Sequence, residues 1–326
     1  MCIKKITPSL TIVFLLAACG GGGGGGGGGL ASGVASSPIN FTRFDYTDFT
    51  AASKGIYTSV NYSSNGTVTS VGQIQSHTSG RVSVDYNALG DVTGLSVNSP
   101  QFRETFRITD NTPIVEVPFV DAVVVADDAD TARRNEYIAL FDYNNDLDEQ
   151  YGSFGYWEDD NGSTGALGIE VFGDFSNANQ IPTTGTATYF GYHGGGYTDG
   201  QDNTIVTTGS FRSDVDFATR TFAAGFTNTI GFNADTGSYQ NLSQLDFAYT
   251  ALIVPDDYDL SRGITSNMDY RNFRPFVENG ADNGLSGQAT HFFMGPNAEE
   301  MSGYFYFTND SSNNFELYSG GFTGKQ

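Results

Sequence analysis

Three histidines, at positions 77, 193 and 291, are the chain's whole supply of imidazole, and their spacing is too wide for the short motifs that bring two ligands to one metal. The stretch His193-Gly194-Gly195-Gly196-Tyr197 is the richest place for binding chemistry, with an imidazole and a phenol at either end of three glycines. Tyr189 and Tyr192 stand just before it. Read as a loop between two strands, it lets a large flat ligand approach the backbone, and His193 or Tyr197 is then a candidate axial ligand for haem. A glycine loop with no ligand is the plainer alternative. Asp142-Tyr143-Asn144-Asn145-Asp146-Leu147-Asp148-Glu149 looks like the first half of a calcium loop, with Asp142, Asn144 and Asp146 as candidate ligands. The glycine such a loop needs at its sixth position is Leu147, and the glutamate at its twelfth is Ser153, so a solvated acidic loop is the default. Tyr258 and Arg262, in the long connection from Pro255 to Asn267, are the aromatic and guanidinium anchors that interfaces favour. With Tyr192, His193 and Tyr197 they form the candidate partner-binding set. Catalysis finds little support. Glu299-Glu300 reads as a surface turn rather than an acid–base pair, and no Gly-x-Ser-x-Gly elbow exists, so the chain is expected not to be an enzyme.

Residues 1–18 explain where such a binding set would work. Lys4 and Lys5 precede an apolar stretch, Thr11 to Leu16, that is too short to span a bilayer, which takes ~20 apolar residues. Leu16-Ala17-Ala18-Cys19 then resembles the lipobox of bacterial lipoproteins, which implies cleavage before Cys19 and acylation (palmitate among the chains) of that residue. One acyl chain holds a protein only marginally, at ~0.8 kcal/mol per buried methylene, but three hold it firmly. Gly20 stands where an inner-membrane retention signal has Asp, so the resemblance implies the outer membrane. Residues 19–38, which begin with ten glycines after Cys19, cannot bury apolar surface and read as a tether. A glycine-rich coil of that length spans roughly 23 Å on average.

Without its leader the chain carries a net charge near −24, against −22 for the whole. Such a surface repels nucleic acid and anionic lipid headgroups, so no nucleic-acid partner is expected. Cys2 leaves with the leader and Cys19 is taken by lipid, which leaves no disulfide to support the fold. Forty-two Gly, eighteen Tyr and twenty-six Phe suit strands and turns and starve helices. An all-β chain is expected, in two parts.

The first part, residues 39–180, alternates at Ile56–Tyr62, Thr67–Ile74, Arg81–Tyr86, Glu136–Tyr143 and Tyr151–Trp157, with Phe102, Phe106 and Ile108 marking a further strand. Pattern is lost around Ser176 to Thr184, where a boundary is expected. The second part, residues 181–326, counts out as eight strands: Gly185–Tyr192, Thr204–Phe217, Thr221–Phe232, Ser243–Ile253, Asn267–Phe273, Leu285–Met294, Met301–Thr308 and Phe315–Phe322. An antiparallel up-and-down barrel fits them, because closure removes exposed edges. Tyr189, Phe217, Phe226, Phe247, Phe292 and Phe305 are expected inside.

The motifs of this second part resemble a known family. Gly185-Thr186-Ala187-Thr188-Tyr189-Phe190-Gly191, Val215-Asp216-Phe217 and Gly225-Phe226 are similar to the opening strands of the barrel in transferrin-binding protein B and other Slam-dependent surface lipoproteins. The strongest resemblance runs through Gly287 to Phe293, Gly295-Pro296-Asn297-Ala298-Glu299-Glu300, Gly303-Tyr304-Phe305 and the terminal Gly321-Phe322-Thr323-Gly324-Lys325. It extends more thinly to Tyr151-Gly152-Ser153-Phe154-Gly155-Tyr156-Trp157. These motifs have structural explanations. Pro296 and Asn297 set a tight turn, Ala298 tucks under the wall, Gly303 lies under Phe305, and Phe322 closes the barrel on its first strand. The resemblance implies a β-sheet handle joined to an eight-stranded barrel, shown on the cell surface. Such a protein captures an extracellular protein or haem and works beside an outer-membrane transporter; direct haem or small-ligand binding is one alternative, and a structural surface lipoprotein without ligand, which the acidic, glycine-rich composition permits, is another. One handle and one barrel fill the chain, so the two-lobed plan of transferrin-binding protein B does not fit.

Overall fold

The computed structural model describes residues 48–62, 68–88, 92–100, 102–107, 114–116, 121–127, 136–142, 151–160, 163–198, 204–233, 238–253, 264–269, 285–309 and 315–326. Two antiparallel sheets hold every described strand, and the only described helices are two single 3-10 turns, Ala178–Gln180 and Ser243–Leu245. The all-β expectation holds.

The handle sheet contains β1 (Phe49–Tyr62), β2 (Val68–Val71), β3 (Gln75–Tyr86), β4 (Val92–Asn98), β5 (Arg103–Arg107), β6 (Ile114–Glu116), β7 (Asp121–Asp127), β8 (Glu136–Asp142), β9 (Gly152–Asp160) and β10 (Thr164–Gly173). Their order is β5-β4-β3-β1-β10-β9-β8-β7-β6, with β2 also on β1. The first strand therefore lies mid-sheet, between β3 and the last strand β10. β4, β6, β7 and β10 were not foreseen from the sequence. Gly residues dilute the alternation in β10, and Asp residues bound β7.

Alternation puts one face of β1 against the barrel. Ile56, Val60 and Tyr62 join Leu167, Ile169 and Val171 of β10 and Phe154 and Tyr156 of β9 on the face turned to the barrel. On the opposite face Trp157 stacks on Phe102, centroids 4.2 Å apart and nearly parallel. Gly168, in register with Trp157, makes room, since a Cβ there would lie 2.4 Å from the indole.

The barrel sheet contains β11 (Thr186–Thr198), β12 (Thr204–Asp216), β13 (Thr221–Asn233), β14 (Ser238–Asn241), β15 (Phe247–Leu252), β16 (Ile264–Asp269), β17 (Ser286–Met294), β18 (Glu300–Asn309) and β19 (Glu316–Lys325). β14 and β15 pair with opposite ends of β13; the strand expected over Ser243–Ile253 opens with the 3-10 turn Ser243–Leu245 and is strand only in β15, while β14 lies before it and was not foreseen. Counted together they give the eight-stranded circuit. First and last strands close on each other, from Phe190↔Lys325 to Thr198↔Leu317, with Phe322 opposite His193. The ends of the circuit are β15 and β16, which lie close together without a described ladder between them.

The barrel is filled. Tyr189, Phe217, Phe226, Phe247 and Phe305 lie in its core as expected, joined by Phe211, Phe222, Phe293, Tyr318 and Phe322. Burying each of these rings contributes about 1.5–3 kcal/mol. Phe292 corrects the expectation: it belongs to the cluster shared with the handle, while Phe293 points inward. The handle covers the outer wall at this strand, so both of its faces are buried and alternation cannot say which phenylalanine is inside. Gly303 is likewise matched to Phe322 and not to Phe305; the Phe305 ring lies over Gly320 instead. Each ring reaches across to the neighbouring strand.

Candidate functional site

The glycine run expected to be a loop is strand. Residues 193–197 continue β11 without a break, and Gly194, Gly195 and Gly196 pair with Gly321, Gly320 and Ser319 of β19. A Cβ at Gly195 would lie 2.0 Å from the Ser319 carbonyl oxygen, and one at Gly320 would lie 2.3 Å from that of Gly194. The glycines bring two backbones together where the barrel closes, and they make no room for a ligand. His193 is 0% exposed, its ring edge-on to Phe226 and Phe305 and its Nδ1 3.4 Å from the Tyr318 hydroxyl. An axial ligand needs an open side, and this imidazole has none. Tyr197 is buried in the same core, edge-on to Tyr318. Tyr192 points the other way, into the handle, beside Phe154 at 5.7 Å. These three residues therefore do not form one surface. Cys19, Asn144, Asp146, Tyr258 and Arg262 lie outside the described residues, and Asp142 ends β8 with its side chain outside the description. Among the described residues, no group of three His, Cys, Asp or Glu is arranged to hold a metal ion.

What the barrel motif builds is a junction. Ser176 N–H donates to the Phe293 carbonyl and Gly295 N–H to that of Asp174, each across the boundary between the sheets. Gly295 and Ala298 both take positive φ, +84° and +58°, so the left-handed residue is Ala298 and not Asn297. Only a small side chain fits there, since Ala298 is fully buried, and its carbonyl accepts from Tyr189 Oη at 2.6 Å and Gln326 Nε2 at 2.9 Å. Glu299 closes its own turn by accepting from the Asn297 backbone and side-chain amides. Glu300 overturns the surface reading. It is buried, and its Oε2 accepts from the backbone amides of Tyr151 at 2.9 Å and Gly152 at 3.0 Å, at the start of β9. Burial, then the charges of Glu299, Glu300 and Asp174, raise the Tyr151 phenol above its ordinary pKa. Lys54 of β1 reaches over the rings of Phe175 and Phe292, at 4.3 and 5.0 Å. Gly321 admits the Phe154 ring of the handle, which a Cβ would meet at 2.3 Å. Handle and barrel thus share one continuous apolar cluster and are tied by backbone bonds.

With the interior filled, the candidate contact surface is the outer wall. A groove of about 540 Å³ crosses β11, β12, β13 and β15, with Ala223 on its floor and Thr188, Asp214, Asp216, Thr221, Thr250 and Leu252 around it. Register explains the row: Thr188, Asp214, Ala223 and Thr250 are successive cross-strand partners, and alternation points them outward. Beside the groove Arg212 lies over the half-exposed ring of Phe190 at 5.2 Å and forks onto Asp214, at 2.9 Å to Oδ1 and 3.1 Å to Oδ2. Thr188 Oγ1 donates to Asp214 Oδ1 at 2.8 Å. The Arg212 hydrogen bond holds the Asp214 carboxyl below its usual pKa, with Thr188 adding to it, so the pair stays ionised through the neutral range. An exposed pair of this kind contributes little stability. Its effect is to hold a guanidinium and an aromatic ring in fixed places on the surface. Sequence reading passed over these residues. The one available signal was Phe190, an aromatic in the outward register beside inward Tyr189.

No protein-family model matches the chain, and no curated protein matches it. Solved structures do. A variant of transferrin-binding protein B from Haemophilus parasuis Hp5 aligns at 14% identity and a TM-score of 0.43, over 83% of this chain and 45% of that one. Transferrin-binding protein B from serogroup B Neisseria meningitidis aligns at 16% identity and a TM-score of 0.38, over 77% and 52%. A surface lipoprotein aligns at 14% identity and a TM-score of 0.35, over 83% and 98%. This chain therefore spans about half the length of the two transferrin-binding proteins. Overlaps of this size concern the course of the chain and say nothing about a ligand.

Proposed function

We propose that this chain is a lipid-anchored binding module of the outer membrane, displayed at the cell surface, that captures a protein or nutrient ligand and holds it for an outer-membrane transporter. The observation that carries the reading is an order of parts: the lipobox-like Leu16-Ala17-Ala18-Cys19, a leash of ten glycines, then a folded body with a filled barrel. A leash serves a body that must reach a partner while staying attached. A filled barrel leaves its outer surface for that partner, and the fixed Phe190–Arg212–Asp214 cluster beside the groove is where contact is assigned. Arg and aromatic groups held in place before binding lose little entropy on contact.

Protease treatment of intact cells that express the full chain tests the location. Loss of the protein with the outer membrane intact is the expected result, and protection would overturn surface display. Affinity capture from culture medium, with the full chain compared against the double variant Phe190→Ser, Arg212→Ala, tests the surface. A ligand held by the first and not by the second is expected. Equal recovery by both would remove the cluster from the reading.

A further inference from the structure

All three histidines of the chain are buried, but in two opposite settings. His77 lies in the handle, and its Nε2 is 2.8 Å from Glu170 Oε1. The two residues reach each other across Gly55, which is in register with both and has no side chain to separate them. Tyr57 is the nearby aromatic, its ring 6.5 Å away.

The barrel histidines have no such partner. His193 is enclosed by Phe226 of β13, Phe305 of β18 and Tyr318 of β19, and its Nε2 lies over Gly209 of β12, where the Thr227 backbone opposes the effect of burial only weakly. His291 is enclosed by Phe211 of β12, Phe222 of β13, Tyr249 of β15 and Phe322 of β19. Its Nδ1 is 3.4 Å from the Met301 sulfur of β18, and its Nε2 has no partner. The titratable groups facing the two rings, among the described residues, are the phenols of Tyr318 and Tyr249. Among the described residues, no carboxylate acts on either ring.

We propose that acid loosens the barrel selectively, through the two imidazoles walled into its aromatic core, while the handle stays closed around its own histidine–carboxylate pair. Burial lowers both barrel histidines from 6.5 to about 3. They are neutral in the fold, while in the unfolded chain they protonate below 6.5. Their contribution is thus complete above pH 6.5 and is lost as pH falls from 6.5 towards 3. Between pH 7 and pH 5 each histidine shifts the equilibrium towards the open state about 25-fold, and the two together shift it roughly 600-fold. The device is independent of which ligand the surface takes.

The test follows backbone amide exchange, strand by strand, in the full chain in detergent at pH 7 and pH 5, corrected for intrinsic exchange. Trp157, the only tryptophan, lies in the handle core and reports that body by fluorescence. Protection in β12, β13, β17 and β19 is expected to fall by two to three orders of magnitude at pH 5 with the Trp157 signal native. Barrel protection that changes less than about threefold would overturn the proposal, as would a handle that opens at the same pH. The variants His291→Phe and His193→Gln are each expected to remove about 25-fold of the drop. A folded variant that keeps the whole drop would also overturn it, and if neither folds, the unaltered chain still decides. Ligand capture plays no part in these readings, so their failure leaves the proposed function standing.

Discussion

Glu300 is the most demanding place to test how the two bodies are joined. Its Oε2 accepts two backbone amides of the handle from within the barrel, and the residue is 2% exposed. Glu300→Ala deletes the acceptor and leaves both amides without it. The Gly152 bond is buried and the Tyr151 bond is partly buried, so water can reach the second more easily. Hydrogen bonds to charged groups contribute about 1.5–3 kcal/mol each, and a buried donor left unmet costs about 1–3 kcal/mol. With the Tyr151 bond at the low end, Glu300→Ala should cost about 3–4 kcal/mol. Glu300→Gln keeps an oxygen in place and loses only the charge, which roughly doubles such bonds, so it should cost about 1–2 kcal/mol. Urea unfolding followed by Trp157 fluorescence for the handle and by tyrosine circular dichroism for the barrel measures both. The alanine variant is also expected to widen the gap between the two transitions, since one link between the bodies is gone. A loss below about 1 kcal/mol for Glu300→Ala, or equal losses for alanine and glutamine, would refute the link.

Gly168→Ala places a methyl 2.4 Å from the Trp157 ring, so the indole must leave its stack on Phe102; a loss of about 2–3 kcal/mol and a red-shifted Trp157 emission are expected, and unchanged emission would count against the close fit. Tyr62→Phe removes the 2.6 Å bond from the phenol to the buried Glu158 carboxylate, and thermal unfolding should show a cost of about 1–3 kcal/mol. Gly321→Leu drives a side chain into the Phe154 ring and is expected to free the handle from the barrel, seen as faster amide exchange in β9 with β12 and β13 unaffected.

The two-body β plan was legible because glycine, tyrosine and phenylalanine alternate where one face is buried and the other is wet. Where that condition failed, so did the reading. Tyr192-His193 and Phe292-Phe293 are neighbours with both members buried, because the handle covers the outside of the barrel at those strands. Period-2 alternation then gives no face, and Phe292 could not be told from Phe293. The glycine run after His193 carries the usual chemistry of a loop, yet three glycines in a row also allow two backbones to pack at a closing seam. Only the second set, Gly320 and Gly321 in β19, shows which use is made of them. Glu300 was misread for a related reason. A charged residue beside another charged residue reads as solvated, and its two backbone donors come from 148 and 149 residues earlier in the chain. The surface cluster left a thinner trace still, since Phe190, Arg212 and Asp214 meet only through the register of β11 with β12.

The joining of handle to barrel bears on how capture could work. Phe154, Tyr192, Phe292, Met294 and Tyr304 lie in one cluster that crosses the boundary, and Gly321 and Gly152 are the points where a side chain from one body enters the wall of the other. Packing of this density moves as a unit, because small displacements forfeit dispersion contacts on both sides. The junction is therefore expected to be stiff. Contact residues on such a body keep one arrangement, so in the proposed capture a partner meets a preorganised surface. The acid response fits the same division. The handle carries the larger sheet and the histidine paired with a carboxylate, while the barrel carries the proposed contact surface and the two histidines enclosed by aromatic rings. Loss of barrel order at pH 5 would then release a ligand from the outer wall while the handle stays folded on its tether. Holding the leash constant and replacing His193 and His291 separates those two effects: ligand release that persists in a folded double variant would assign it to the ligand's own protonation and not to the barrel.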